Sequence, residues 1–567
     1  MRVRHRAGHA PCAGRRHARR GWTLPRLLAV PVALVVLATL GLTACAGGPS
    51  LFAAGREAAG GQECVLATDI VGTSPPVNSP CTRPSDALVR DGRPIVVDLA
   101  PLRLQIGTET RALWQRPAST DPSWQLTFYG LTWLPPLMRS AIRDGQSRSQ
   151  SALLDTVARF YEQNPDPDSN ALGWDEGTSL RRLESLICLY SMVADDRVAQ
   201  GMRREASVLL GWRYYGPPRH AVHNHGVMAN VRLIQAADLI GEPGWADTAR
   251  GRIAAEVHQA FSPLGTTYEQ SSGYQLVNVQ MWARAARMLA ARDPLDPTVD
   301  EIRAVIQQAA LVGAWVTDPD GDIAQIGDAG RQGGRTVECT GEPGAFRDDE
   351  TGWAVGRWSW TDPSTSHYTL RYGPPRQAHG HPDQGALTWS TAGRRVLVGS
   401  GYFGYETGNP FVAYGRSPDS ANLARPMGGT AGGGGLYVDR ATTQGSRHEW
   451  TLRGVPFGRN QVRDVTVDDP GRRLTVRDEL PDGGSLQQRW LLDPTWRVVS
   501  TGAGVATFAG TGGARLEVRT SAGALQLFRG TSAPVQGWVF PDTGVKQAAV
   551  QLVLVGGAAV ETTFTLT

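Results

Sequence analysis

The stretch Leu180-Arg-Arg-Leu183-Glu-Ser-Leu186-Ile187-Cys-Leu-Tyr190 places apolar side chains three and four residues apart. This spacing lines up one face of an α-helix, because about 3.6 residues complete a turn. The same spacing recurs on both sides, with Gly/Pro/Asp clusters between the repeats, in Leu153–Tyr161, Val227–Leu239, Ile253–Phe261, Val277–Met288 and Ile302–Ala310. Many antiparallel helices with short connections predict a helical barrel or toroid over residues 91–345.

The pattern changes near Gly352, where apolar and polar residues begin to alternate. Alternation with a period of two is typical of β-strands that bury one face, and turn sequences such as Pro481-Asp-Gly-Gly separate the later runs. We therefore predict an N-terminal incomplete α/α toroid followed by a C-terminal antiparallel β-sandwich over residues 350–567. Candidate polar residues occur in both halves, which predicts a site at their interface.

The first 44 residues have the layout of an export signal. Arginines precede an apolar run that ends in Leu42-Thr43-Ala44-Cys45, which resembles a bacterial lipobox. We predict a signal peptide over residues 1–44, lipidation of Cys45 and a flexible tether over residues 45–90. The protein would then be extracellular, anchored on the outer face of the cytoplasmic membrane. An uncleaved membrane anchor is the alternative, because the apolar run is nearly long enough to span a bilayer.

The net charge of +4 gives a misleading picture of the mature chain. Residues 1–44 hold eight of the 57 basic residues and no acidic residue, so 49 basic residues remain against 53 acidic ones, a net charge of about −4. This balance does not support a nucleic-acid-binding surface.

The cysteines suggest an oxidising compartment. Cys64 and Cys81 flank a short polar loop, so a disulfide between them is an expectation that the sequence leaves open. Cys188 lies in an apolar helical stretch and is predicted to be a buried apolar side chain. Cys339 receives no role.

Three short polar segments carry the candidate chemistry. The first contains His223, Asn224 and His225, the second contains Glu269 and Tyr274, and the third contains His379, His381 and Asp383. Taken singly, each has an ordinary structural interpretation: asparagine is a good helix N-cap, and a tyrosine on a helix more often belongs to the core. The paired histidines could bind zinc, act as a base or pack at a turn, and Asp383 could fix a histidine tautomer.

Taken together, these segments resemble the heparinase II/III family of polysaccharide lyases, including its alginate-lyase relatives. The resemblance runs from about Trp174 to Asn422 and rests on motifs that follow one another in the same order, namely the Asn224-His225 helix start, Glu269-x-Ser-x-x-Tyr274, Ile326-Gly-Asp328, His379-x-His381-x-Asp383-Gln and Arg416-Ser417. It implies an α/α toroid joined to a β-sandwich, and cleavage of uronic-acid-containing polysaccharides by β-elimination.

The resemblance also implies roles for individual residues. Asn224, helped by His225, would neutralise the uronate carboxylate, which stabilises the charge that develops when the neighbouring carbon loses its proton. Tyr274 would be the general acid at the scissile oxygen, and in syn elimination also a base. His379 would be a base or charge stabiliser. Residues predicted to bind substrate or support these four are His223, Glu269, His381, Asp383 and Arg416.

The sequence departs from the family at the zinc site that some members hold. His381 matches one ligand position, but Gly399 stands where those members have aspartate and Ala421 stands where they have histidine. We therefore expect no metal and no other cofactor.

These observations favour an exported polysaccharide lyase whose partner is an acidic polysaccharide. Two alternatives remain at this stage. One is a non-catalytic surface lipoprotein that binds glycans or handles exopolysaccharide. The other is a glycoside hydrolase with Glu269, Asp320 and Asp328 as candidate carboxylates. The sequence does not select a particular polysaccharide, nor endo or exo action.

Overall fold

Helices form the first half of the chain, where apolar residues recur at helical spacing. The structure, a computed structural model, describes residues 64–66, 81, 91, 93–211, 214, 224–335, 337–339, 343–373, 378–430 and 434–567, all within the unit Phe52–Thr567. In chain order the helices are α1 (Arg111–Gln115), α2 (Pro122–Tyr129), α3 (Leu134–Arg143), α4 (Ser147–Gln163), α5 (Glu176–Val193), α6 (Asp196–Leu210), α7 (Asn224–Ile240), α8 (Pro243–Ala260), α9 (Ser272–Arg292), α10 (Pro297–Trp315) and the later α11 (Pro410–Gly415).

Helices α5 to α10 pack as antiparallel hairpins in two rows. Helices α5, α7 and α9 contact one another in one row, and α6, α8 and α10 form the other, each beside its hairpin partner. Several helices begin where an aspartate or serine side chain accepts a backbone N–H of the first turn, as Asp175 does for α5 and Ser271 for α9. The result is the predicted α/α toroid. Because alternate helices run in the same direction, α5, α7 and α9 begin at the same end of it.

Strands form most of the second half. In chain order they are β1 (Cys64–Leu66), β2 (Val96–Leu99), β3 (Leu102–Gln105), β4 (Val337–Cys339), β5 (Gly344–Asp348), β6 (Trp353–Arg357), β7 (His367–Arg371), β8 (Leu387–Thr391), β9 (Arg394–Leu397), β10 (Ala424–Pro426), β11 (Leu436–Gln444), β12 (Arg447–Gly454), β13 (Gln461–Asp468), β14 (Arg473–Glu479), β15 (Leu486–Leu491), β16 (Arg497–Gly502), β17 (Val505–Ala509), β18 (Arg515–Thr520), β19 (Ala524–Arg529), β20 (Thr531–Ser532), β21 (Val535–Gln536), β22 (Trp538–Asp542), β23 (Val545–Ala548), β24 (Val550–Gly556) and β25 (Ala559–Leu566).

Three antiparallel sheets build the sandwich. One has the order β5-β6-β7-β8-β9, the second β11-β12-β13-β14-β25-β18-β17-β16, and the third β10-β15-β24-β19. A single apolar core draws side chains from all three, including Trp389, Leu452 and Leu552. Strand β13 alternates buried and half-buried residues, as its sequence predicts, whereas β6, β7 and β8 are buried along their whole length. The five-stranded sheet is therefore covered on both faces.

The five-stranded sheet meets the end of the toroid at a buried ion cluster. The Asp318 carboxylate, just beyond α10, accepts from His367 Nδ1 at 2.8 Å and lies 3.2 Å from the Arg395 guanidinium. His367 Nε2 lies 2.8 Å from the carbonyl oxygen of Trp315, the last residue of α10. Burial by itself would raise the pKa of Asp318, but Arg395 and His367 outweigh burial and lower this pKa from 3.8 to about 2.

Replacing Asp318 with asparagine is expected to lower the free energy of unfolding by about 3 kcal/mol at neutral pH, because it leaves buried positive charge without its partner. Since the pKa of Asp318 is lowered in the folded protein, this contribution is present above about pH 4 and is lost as the pH falls toward 2. Urea denaturation at several pH values measures it. Asp320→Asn is the matched control: Asp320 pairs with the same arginine at 2.8 Å but is 31% exposed, so we expect a smaller loss. Equal losses for the two variants would contradict the argument.

The disulfide differs from the sequence expectation. Cys81 is bonded to Cys188 of α5, not to Cys64, so Cys188 is a half-cystine and not a free apolar side chain. Strand β1 pairs with β4, with Cys64 opposite Cys339 in the register. Two points of the segment predicted as a tether are thus attached to the rest of the unit. The predicted signal peptide and Cys45 lie outside the described residues.

Candidate active site

Tyr274 lies in the first turn of α9, and a serine fixes its position. The Ser271 hydroxyl accepts the Tyr274 backbone N–H at 3.3 Å and donates to the Asp328 carbonyl oxygen at 2.8 Å. A serine at this place caps the helix, and its second hydrogen bond ties the helix start to the loop that carries Asp328. The Glu-x-Ser-x-x-Tyr motif therefore encodes both the helix start and the position of the phenol.

Glu269, in the Glu-x-Ser-x-x-Tyr motif, contacts both the segment that carries Asn224 and the segment that carries His379. One carboxylate oxygen accepts the Asn224 backbone N–H at 2.9 Å and the Asn278 side-chain amide at 2.8 Å. The other oxygen lies 2.6 Å from His379 Nδ1. Burial favours the protonated acid, but these hydrogen bonds, led by that of His379, outweigh burial and lower the pKa of Glu269 below its ordinary value. Glu269 is therefore a carboxylate at neutral pH, and Nδ1 of His379 carries the proton that it donates.

The His379 ring stacks on the Tyr274 ring. The ring centroids are 3.4 Å apart and the planes differ by 10°. Gly327, with φ of 61°, makes this placement possible, because a Cβ there would lie 2.5 Å from the His379 carbonyl oxygen. That carbonyl accepts the Asp328 backbone N–H at 2.8 Å. With Nδ1 bound to Glu269, Nε2 is the imidazole nitrogen left for chemistry beside the phenol.

A second carboxylate, Asp328, gathers donors from both halves of the chain. It lies 2.8 Å from His381 Nε2, accepts the Tyr405 hydroxyl at 3.1 Å and forms an ion pair with Arg416. The Arg416 guanidinium also lies over the Tyr405 ring, 4.8 Å from its centroid. The Tyr405 hydroxyl is 3.3 Å from the Tyr274 hydroxyl. Asp328 thus holds Tyr405 against the candidate acid.

The phenol of Tyr274 stays protonated in this environment. Burial raises its pKa to about 12, and the hydrogen bond with Tyr405 only partly opposes that rise. Negative charge on Asp328 and Glu269 contributes to the same rise, to about 12 in total. The group can therefore donate a proton at neutral pH, whereas acting as a base would first require loss of its own proton.

The structure brings most of the predicted site residues together. The hydrogen bonds, ion pair and ring stacking described above connect Tyr274, His379, Glu269, His381 and Arg416. Asn224 joins them through its backbone N–H. His225 follows Asn224 in the first turn of α7 and is half-buried. His223 lies outside the described residues.

Asp383 does not fix a histidine tautomer, in contrast to the sequence hypothesis. Its carboxylate lies 3.4 Å from Arg371 Nε, and the carboxylates that contact the two imidazoles are Glu269 and Asp328. Asp383 is buried beside the site and contacts His381 only through the backbone.

Sequence reasoning missed Tyr405 and considered Asp328 only as a candidate carboxylate of the hydrolase alternative. Asp328 stood within a quoted motif, but nothing local marked it as the partner of His381. Tyr405 belongs to Gly401-Tyr-Phe-Gly-Tyr405, an aromatic and glycine-rich run between a strand and a helix. Loops of that kind often carry binding residues, and this was the available signal.

The three family positions for zinc line one cavity of about 40 Å³, but their residues do not fit the metal. Gly399 and Ala421 offer no donor, and His381 Nε2 is engaged by Asp328. A side chain at position 399 would place Cβ 1.8 Å from the Gln325 carbonyl oxygen, so aspartate requires a backbone shift. Arg371 and Asp383 also line the cavity, and because they lie 3.4 Å apart the charge of the Asp383 carboxylate is already compensated by Arg371. Within the described ranges, no three His, Cys, Asp or Glu side chains are grouped to hold a metal ion.

Residues 344–566 match the family described as Heparinase II/III-like, C-terminal. None of the curated proteins matches the sequence.

Solved structures share the fold at low identity. Heparinase III superposes with a TM-score of 0.68 at 15% identity, over 80% of this chain and 79% of that one. Heparan sulfate lyase HepC from Pedobacter heparinus gives 0.56 at 14% identity, over 83% and 81%. Chondroitin AC lyase of Streptomyces coelicolor A3 gives 0.50 at 14% identity, over 80% and 77%. The chain therefore has the fold of these polysaccharide lyases, and the resemblance to the heparinase II/III family that its motifs predict is supported by the match of residues 344–566 to the C-terminal domain of that family.

Proposed function

We propose that the protein is a polysaccharide lyase that cleaves a uronic-acid-containing glycan by β-elimination. The observation that carries the proposal is the stacked pair of Tyr274 and His379, with His379 Nδ1 held by Glu269. Glu269 also binds the start of α7, where Asn224 and His225 lie. The relatives support this proposal, since one is solved in complex with chondroitin sulphate and another is a heparan sulfate lyase.

In the proposed reaction, Asn224 and His225 bind the uronate carboxylate and stabilise charge that develops on it. His379 Nε2 takes the proton from the carbon beside the carboxylate, and that electron pair forms the new double bond. The bond from the neighbouring carbon to the glycosidic oxygen breaks, and the Tyr274 hydroxyl protonates the departing oxygen. The imidazolium is stabilised by the Glu269 carboxylate, and its return of a proton to the phenolate restores both groups.

The hydrolase alternative receives less support from the geometry. It requires two carboxyl groups free to face one glycosidic bond. Glu269 is occupied by His379, Asn278 and Asn224, Asp328 is occupied by His381, Tyr405 and Arg416, and Asp320 pairs with Arg395. A non-catalytic glycan-binding protein would show the same arrangement of residues, so only a measurement of turnover distinguishes it from a lyase.

We expect incubation with a uronic-acid polysaccharide to produce ultraviolet absorbance from an unsaturated uronyl end, which elimination creates and hydrolysis does not. The assay uses the purified full-length protein and a panel of such polymers, and the polymer that responds identifies the substrate class. Saturated products would support a hydrolase, and binding without products would support the non-catalytic alternative.

We also expect chelator to leave the rate unchanged and metal analysis to find no stoichiometric zinc, because the family ligands are replaced at Gly399 and Ala421.

We further propose that the protein is exported and lipid-anchored through Cys45 on the outer face of the cytoplasmic membrane. The support is the sequence of residues 1–45. Among the residues that the structure describes, no helix is long and apolar enough to cross a membrane. In a bacterial host, labelled fatty acid should enter the wild-type chain but not Cys45→Ser. Equal labelling of both would contradict the proposal.

A further inference from the structure

An arginine cluster lies on the row of helices that carries Asn224 and Tyr274. It consists of Arg181 on α5, Arg232 on α7 and Arg284 on α9, around the single carboxylate of Glu184 on α5. Glu184 forms an ion pair with Arg232 and lies 3.5 Å from Arg181. Arg284 interacts with the same carboxylate electrostatically. Each of three neighbouring helices therefore contributes one guanidinium group to the cluster around Glu184.

Positive charge in this cluster exceeds negative charge. Three guanidinium groups lie around one carboxylate, and within the described part of the chain Glu184 raises the pKa of Arg284 whereas Arg287 lowers it. The pKa of Arg232 is lowered to about 10: burial is the largest cause, Arg284 and Arg181 also lower it, and Glu184 opposes them. An excess of partly buried positive charge is unfavourable unless an anion compensates it.

Hydrogen-bond donors of the cluster also lack protein acceptors. Arg232 is 3% exposed, and its Nε has no hydrogen-bond partner. Arg284 is half-buried and makes no hydrogen bond within the described part of the chain. The Arg181 side chain is 36% exposed, so the cluster is open to solvent on one side.

Two other arginines of the toroid, one fully buried and one exposed, are compensated differently. Arg182 is fully buried and forms two hydrogen bonds with the carboxylate of Glu205, at 2.6 and 3.0 Å. Arg250 forms two bonds of 2.6 Å with Asp296. Each of these arginines has its own acidic partner, whereas the three arginines around Glu184 share one. The difference indicates that the cluster is built to hold a ligand.

We propose that Arg181, Arg232 and Arg284 form an oxyanion-binding site. Guanidinium groups suit this ligand because their planar N–H pairs match the oxygens of sulfate, phosphate or carboxylate. Arg232 follows Asn224 by eight residues and Arg284 follows Tyr274 by ten, which corresponds to about 12 and 15 Å along the helices. The site is thus separate from the catalytic residues.

The oxyanion has two possible sources with the same chemistry: a free inorganic anion, or a charged substituent of the glycan. Only the second source rests on the proposed lyase function. Binding of inorganic sulfate requires no turnover, so the site and the lyase activity can fail independently.

The test measures sulfate binding to the full-length protein by calorimetry and by the rise in Tm, at constant ionic strength kept with sodium chloride. We expect a saturable response in the wild type and a loss of affinity of about tenfold or more in Arg284→Gln and in Arg181→Gln. Glu184→Gln should bind sulfate more tightly, because it removes the competing carboxylate. The matched control is Arg303→Gln, since Arg303 is half-exposed in a pair with Asp300 on α10, and it should behave as the wild type.

The absence of a saturable sulfate response in the wild type would overturn the proposal, as would unchanged affinity in both arginine variants. Competition then identifies the source. If a sulfated polysaccharide displaces sulfate and Arg284→Gln weakens polymer binding, the site holds a glycan substituent. If sulfate binds without competing with polymer, the site holds an inorganic anion. Either result supports an oxyanion site.

Discussion

Replacing Tyr274 with phenylalanine is expected to lower kcat by about 10²- to 10⁴-fold, the usual contribution of a positioned general acid or base. The phenol is protonated at neutral pH, since its pKa is about 12. Its ring stacks on that of His379, and in the proposed mechanism loss of the hydroxyl leaves the departing sugar oxygen without a proton donor. Single-turnover measurements of the unsaturated product report this step directly.

Tyr402→Phe is the matched control for this variant. Tyr402 lies on the loop that carries Tyr405, with its ring 5.5 Å from the Tyr405 ring, and its hydroxyl accepts from Thr543 at 3.1 Å. Removal of this hydroxyl should leave kcat within about twofold, because it hydrogen-bonds with Thr543 and is one of the smaller causes of the raised pKa of Tyr274. A Tyr274→Phe protein with wild-type kcat would refute the assigned role, and an unchanged Tm would show that a loss of activity is not a loss of folding.

Replacing Asn224 with alanine is expected to lower kcat by about 10²- to 10³-fold, the loss typical of removing one donor to a developing oxyanion. Asn224 is buried at the start of α7, and Glu269 holds its backbone N–H. In the proposed mechanism, the side-chain amide stabilises the carboxylate when the neighbouring carbon loses its proton. The variant should also lose part of the preference for a polymer with free carboxylates over the same polymer with its carboxyl groups reduced.

Asn230→Ala separates this effect from a general loss of a buried amide. Asn230 lies on the same helix and is 1% exposed, and its amide is 3.5 Å from Glu256. We expect it to affect stability more than the preference for free carboxylates. If Asn224→Ala retained the wild-type preference and rate, the amide would have no part in carboxylate recognition.

The apolar periodicity determined the two halves of the fold. Helical spacing between residues 91 and 345 and alternation after Gly352 predicted the toroid and the sandwich, because these patterns reflect which face of a local element is buried. The motif segments likewise predicted Asn224, Tyr274 and His379 as candidate site residues, since each lies at the start of a helix or in a loop between strands. Such features are local and can be read from neighbouring residues.

Partnerships between distant segments were decided only by the tertiary structure. Glu269 and His379 are 110 residues apart, and no local spacing indicated that this carboxylate, and not Asp383, would orient the imidazole. The same holds for Asp328 with Tyr405, and for Cys81, whose partner proved to be Cys188. The sequence therefore determined which residues face inward along each element. Packing of the toroid against the sandwich decided which side chains meet, because contact across that interface depends on how whole elements fit together.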